Sequence, residues 1–170
     1  EMQAWEQVVQ AFADSVQRYS FVEKAERAPV ADDASIDAAG LRQAWAQLKD
    51  THDFFGMLKT FGCERQQSFR LTRGAFCEPL SNTAVTQLLE QAASAELPIM
   101  VFVGSKGCIQ IHSGPVRHIK PLQTPGSDWI NVLDPGFNLH LRRDLITSTW
   151  LVRKPTTDGV VTSVELFDAT

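Results

Sequence analysis

The chain has 170 residues, 44% hydrophobic and 21% charged, which suits one well-buried domain and excludes a disordered segment. Its net charge of −4 excludes a generic binder of nucleic acid or of an anionic membrane surface, whose electrostatic footprint is basic. Cys63, Cys77 and Cys108 stand far apart with no CxxC or Cys/His pairing, which argues against a disulfide framework or a zinc site.

In chain order, Trp5, Val8, Val9 and Phe12 predict a short amphipathic helix over about residues 2–17. Residues 23–37 are polar, rich in Ala and Asp and without periodicity, and they carry Pro29; they read as a linker or a loosely packed arm. Leu41, Trp45, Leu48, His52, Phe55 and Leu58 then recur at spacings of four and three. This predicts one continuous helix, N-capped by Ser35 or Asp37 and running to about Phe61, with Gly62 as a left-handed C-cap and Lys59 in the last turn. A second helix is expected over about residues 83–95, with Val85, Leu88, Leu89 and Ala92 facing inward.

After Pro98 the period changes to two. Ile99-Met100-Val101-Phe102-Val103 and Cys108-Ile109-Gln110-Ile111-His112 predict strands joined by the tight turn Gly104-Ser105-Lys106-Gly107. Further strands are expected at 116–122, 129–133, 137–141, 149–153 and 160–167, the last two joined by the hairpin turn Pro155-Thr156-Thr157-Asp158-Gly159. Helices first and a strand meander afterwards predict an α+β fold, an antiparallel β-sheet carrying a layer of helices. No fixed-period repeat is present. No signal sequence and no apolar run of membrane-spanning length is visible, so the expectation is a cytoplasmic protein with no membrane insertion. The opening Glu1-Met2-Gln3-Ala4-Trp5 reads as part of a helix and suggests a piece of a longer protein.

No nucleophile elbow, P-loop, dinucleotide fingerprint or HExxH motif occurs. The turn at 104–107 joins two strands and leads into no helix, so it reads as a hairpin and not as a phosphate loop. His112, His118 and His140 sit in alternating strands without short ligand spacings or accompanying carboxylates, which favours solvent-facing residues over a metal site. The three cysteines read as buried free thiols. Arg142, Arg143, Arg153 and Lys154 make a local basic cluster in an otherwise acidic chain.

His52 differs in kind. On an apolar stripe beside Phe54 and Phe55, it must be a hydrogen-bonded core residue or a ligand for something that enters the apolar site, and the residues alone favour the first. As a ligand, a neutral imidazole on a rigid helix suits haem iron, with Nδ1–H oriented by the carbonyl of Leu48 and Gly56 leaving room for a flat molecule. Arg65, thirteen residues on, and Lys154 would then neutralise the propionates, the first as a fork and the second as a point charge. The residues alone favour solvated surface charges for both.

Asp50-Thr51-His52-Asp53-Phe54-Phe55 with Leu58-Lys59, followed by Arg65-Gln66-Gln67-Ser68-Phe69, resembles the proximal-histidine helix of the cytoplasmic hemin-degrading and haem-trafficking proteins of the HemS/ChuS/PhuS type. The resemblance continues through Ile99 to Gly104, Gly107 to Ile111, Phe137-Asn138-Leu139-His140-Leu141, Trp150, Arg153-Lys154-Pro155-Thr156 and Val161 to Phe167. It implies a fold of two similar halves, each a helical layer on an antiparallel sheet, of which this chain resembles the second. Residues 1–22 then correspond to the closing helix of the preceding half, 23–37 to the interdomain linker and 38–170 to the haem-binding domain without the family's final strand and helix.

By the same resemblance His52 is the proximal iron ligand, Arg65 and Lys154 contact the haem propionates or edge, and Phe102 lies against the porphyrin of haem b. The family's distal arginine belongs to the first half, and further Gln, Tyr and Arg contacts belong to a segment after Thr170. The implied function is haem binding for bacterial iron acquisition, followed by haem transfer or oxidative haem degradation. Implied partners are haem, a downstream haem oxygenase or an inner-membrane haem transporter, and an external electron donor if haem is degraded. Two alternatives stand beside it: a non-catalytic haem chaperone, and a structural half-domain in which His52 is a core residue. The sequence leaves open whether the whole protein is an enzyme.

Overall fold

The stripes spaced by three and four become helices and the alternating runs after Pro98 become strands, so the chain is α+β in the expected order. The computed structural model describes residues 2–16, 29–105 and 107–169. Its helices are α1 (Met2–Phe12), α2 (Ala38–Ala46), α3 (Asp53–Thr60), α4 (Arg65–Leu71) and α5 (Ala84–Ser94). Its strands are β1 (Cys77–Leu80), β2 (Pro98–Gly104), β3 (Ile109–Pro115), β4 (Ile119–Thr124), β5 (Ser127–Asp134), β6 (Phe137–Arg142), β7 (Ser148–Thr156) and β8 (Gly159–Phe167). These strands pair antiparallel throughout, in three ladders ordered β1-β7-β8, β2-β3 and β4-β5-β6 where a single meander was expected.

Two apolar cores result among the described residues. The first lies between α2–α4 and the β1-β7-β8 ladder and is built from Leu41, Trp45, Phe54, Phe69, Cys77 and Val152 among others. Trp45 stands at its centre, fully buried, with its ring stacked on Phe76 at 5.2 Å and edge-on to Phe54 at 4.6 Å. Its Nε1–H donates to the Arg153 carbonyl at 2.9 Å and so ties α2 to β7. The second core joins α5 to the β4-β5-β6 ladder through Val85, Leu89, Val116, Ile130 and Val132. Because side chains alternate along a strand, Phe167 of β8 packs on the first core and its neighbour Leu166 on the second.

The continuous helix expected to run to Phe61 is in fact two helices separated by a loop at 47–52. Asp37 caps α2 as expected, accepting the Gly40 N–H at 2.9 Å. The break has a local and a distant cause. The Asp50 carboxylate accepts the His52 backbone N–H at 2.8 Å, an Asx-type turn that competes with helix, and the Thr157 N–H donates to the Lys49 carbonyl at 3.0 Å. The three-and-four spacing therefore carries across the break without one face being shared. Phe54 is buried, and Phe55, expected inside, is 74% exposed.

Helix α4 and strand β1 were not anticipated. A capping box at Glu64 and Gln67 starts α4, a signal present in the sequence as Glu-x-x-Gln. Gly62 takes the expected left-handed conformation, with φ of 59°. The expected arm is in part tethered: Gln67 donates to the Ala31 carbonyl at 2.7 Å and to Asp33 at 2.9 Å, and Arg70 pairs with Asp33 at 3.0 Å. Residues 17–28, including the start of that arm, lie outside the described residues. Cys63 and Cys77 are buried, and burial pushes the Cys77 thiol up to about 11. Cys108 is exposed instead, because it lies in the β2–β3 turn, away from either core.

Candidate functional site

His52 immediately precedes α3 and projects into solvent, its side chain 93% exposed. The expectation of a histidine within an apolar stripe is therefore overturned, and with it the reading of His52 as a core residue. The orienting partner also differs from the Leu48 carbonyl. Nδ1 lies 2.6 Å from Asp50 Oδ1, the same oxygen that accepts the His52 backbone N–H. Those two hydrogen bonds, the backbone one first, hold the Asp50 carboxyl below its usual range.

Behind His52, in the first turn of α3, Phe54 turns inward and carries two cations on its ring. The Arg65 guanidinium lies 5.1 Å and the Lys154 ammonium 4.8 Å from the ring centroid. Both converge on Glu165 of β8. Arg65 makes a fork of 2.7 and 2.8 Å, and Lys154 a single bond of 3.0 Å. Burial pushes the Glu165 carboxyl up, but the Arg65 and Lys154 charges and hydrogen bonds outweigh it and hold the group below the ordinary glutamate range. The expectation of solvated surface charges is thus corrected. The β7–β8 register sets Glu165 opposite Trp150 on the face that also bears Lys154, and α4 lays Arg65 onto the same carboxylate. Two cations share one carboxylate, so one positive charge is left over. Arg65 is the accessible member, with its side chain 39% exposed against 9% for Lys154.

Arg65 and Lys154 meet over the buried Phe54 ring, two residues after His52 in the chain, while the His52 side chain itself is bonded only to Asp50 among the described residues. Phe102 sits on the separate β2–β3 ladder, 55% exposed, opposite Ile111. Of the other histidines, His118 pairs with Asp134 at 2.6 Å, His140 bonds Asn131 at 2.7 Å, and His112 stacks on Phe137 at 3.7 Å. No group of three metal-ligating side chains occurs among the described residues. The basic cluster is largely neutralised: Arg142 pairs with Asp144, Arg143 with Asp128 and Lys154 with Glu165. An open depression between α2 and α3 is lined by Leu48, Lys49, Asp53 and Met57 among others, and not by His52.

Gly56 lies in the middle of α3, and a Cβ there would meet no atom within 4 Å. Gly56→Ala is expected to raise stability by about 0.5–1 kcal/mol through helix propensity alone, as read from urea denaturation.

Sequence reasoning missed the roles of Asp50 and Glu165, and it placed Phe54 beside His52 without anticipating the two cations on its ring. Asp50 carries a local signal, an Asx residue three before a helix start. Glu165 carries none, since its partner Arg65 stands 100 residues away.

Residues 62–170 match the family model described as Haemin-degrading HemS.ChuX domain. The hemin transport protein HmuS of Yersinia pestis is 39% identical over 175 residues, which cover 99% of this chain and 48% of HmuS. The crystal structure of holo-PhuS, a heme-binding protein from Pseudomonas aeruginosa, matches with a TM-score of 0.86 at 50% identity, over 99% of this chain and 48% of that one. The Escherichia coli O157:H7 heme degrading enzyme ChuS matches with a TM-score of 0.83 at 37% identity, over 99% of this chain and 47% of that one. The chain thus spans about half the length of these relatives. With a family model matched over well more than half of its residues, the chain belongs to the Haemin-degrading HemS.ChuX domain family.

Proposed function

We propose that this chain is the haem-binding half of a protein of bacterial haem uptake, with His52 as the axial iron ligand. The state of His52 carries the reading. Its Nδ1 is engaged by a carboxylate, and its exposed Nε2 has no protein partner among the described residues. That is the form in which an imidazole takes a metal. The surroundings fit haem b. Exposed Phe55 follows three residues later as apolar surface, and a leftover positive charge stands at Arg65 for a propionate.

In this reading Nε2 of His52 would hold the iron, Arg65 as the accessible cation would meet a propionate with Lys154 beside it on the shared Glu165, and Phe102 would lie against the porphyrin. Haem is cargo or substrate; when reduced by an external donor, its iron supplies the oxygen chemistry that opens the macrocycle. The chain's own residues orient the imidazole and hold the propionate edge.

Residues 1–22 close a preceding half and 23–37 link the halves. In support, α1 leaves its apolar residues uncovered, with Trp5 65% and Phe12 83% exposed. The protein works in the cytoplasm between an inner-membrane haem transporter and a haem oxygenase, or degrades haem itself. No described helix is long and apolar enough to cross a membrane.

The test is a haem titration followed by Soret absorbance, with His52→Ala alongside. The parent is expected to saturate near one equivalent. His52→Ala is expected to weaken binding by at least the roughly 10–100-fold that loss of an outer-shell partner costs, while changing stability by no more than about 0.5 kcal/mol. Binding and spectra indifferent to the substitution would overturn the assignment. Carriage and degradation separate on whether the haem-loaded whole protein, given reductant and catalase, yields a defined tetrapyrrole.

A further inference from the structure

We infer that Asp50 is the positioning residue of His52: it selects the ring tautomer, fixes the ring's direction and strengthens Nε2 as a donor. The inference rests on the reading of His52 as the iron ligand and adds the group that makes it one. A single oxygen, Asp50 Oδ1, is 2.6 Å from Nδ1 and 2.8 Å from the His52 backbone nitrogen. An ionised carboxylate only accepts, so Nδ1 carries the proton and Nε2 keeps the lone pair. The backbone bond fixes the position of that oxygen, and the ring bond to it must break before the imidazole can turn about its side-chain bonds. The loop is held from outside as well, by the Thr157 N–H on the Lys49 carbonyl at 3.0 Å.

Charge adds a second effect. His52 stands at the N-terminal end of α3, where the helix dipole disfavours a cation such as ferric haem iron. Asp50, with Asp53 in the first turn, supplies the compensating negative charge. A carboxylate on Nδ1–H also makes the imidazole more basic, which favours ferric over ferrous iron at Nε2.

A purely structural Asp50 would cap the turn and leave the metal indifferent to its charge. Asp50→Asn keeps an oxygen acceptor for both bonds and removes the charge; Asp50→Ala removes both. In the haem-free chain, long-range nitrogen NMR is expected to show His52 as the Nδ1–H tautomer, and a tautomer mixture in Asp50→Ala. With haem, Asp50→Ala is expected to bind about 10–100-fold more weakly with unchanged far-UV circular dichroism. Asp50→Asn is expected to lower both the ferric-over-ferrous affinity ratio and the ferrous iron–histidine stretching frequency.

If both variants keep the parent tautomer, affinity and frequency while His52→Ala loses histidine ligation, Asp50 only caps the turn and this inference fails alone. If His52→Ala leaves the haem spectrum unchanged, the iron is elsewhere and both readings fail together.

Discussion

Glu165→Ala is expected to destabilise the chain by about 3–5 kcal/mol, because it strands cations that share a single buried carboxylate. Most of the loss falls on Lys154, whose side chain is 9% exposed and sits over the Phe54 ring; Arg65, 39% exposed, recovers part of its hydration. Glu165→Gln keeps the volume and one acceptor and should fall between the parent and Ala. The pH dependence has a definite sign. The folded carboxyl lies below the ordinary glutamate value of 4.5, so its contribution is fully present above that value and is lost as pH falls through the folded one. Urea midpoints of the parent should therefore drop below pH 4.5, and Glu165→Gln should show a shallower acid limb. Asp33, Asp134 and Asp144, also held low by their partners, keep that limb from flattening altogether. A Glu165→Ala variant as stable as the parent at pH 7 would mean that the cluster does not form in solution.

Trp45→Ala is the second large effect, about 3–5 kcal/mol for removing a fully buried indole from a packed core. Its consequence reaches the site. Trp45 abuts Phe54 edge-on at 4.6 Å, and Phe54 is the platform for both cations, so the cavity left behind loosens the seat of Arg65 and Lys154. Trp45→Phe separates packing from hydrogen bonding. It keeps an aromatic ring but leaves the Arg153 carbonyl without its donor, which should cost about 1–3 kcal/mol. Urea denaturation of the two variants gives both terms. Equal losses would assign the role of Trp45 to its hydrogen bond and not to its volume.

Element type was legible in the residues wherever one local rule acted alone. Period-two runs became β2–β3 and β7–β8, Asp37 capped α2, Gly62 turned left-handed, and Val85, Leu89 and Ala92 faced the core, whereas Leu88, expected with them, stays exposed. The dispersed motif around His52, Arg65 and Lys154 was enough to place the chain in its family. The helix break was not legible, because apolar spacing continues in phase across 47–52 and periodicity cannot register a loop whose Asp50 takes a backbone N–H. Nor was the partner of the two cations. Arg65 meets Glu165 across 100 residues, and only the docking of α4 on the β7–β8 ladder brings them together.

By itself, then, the sequence determined the type of most segments and the family they belong to, since those follow from short-range spacing and residue identity; α4, β1 and the break at 47–52 were not read from it. The tertiary structure alone decided that His52 faces outward on an aspartate and that Arg65 and Lys154 share one carboxylate. Those outcomes depend on where a loop is pinned and on charges that meet only after packing.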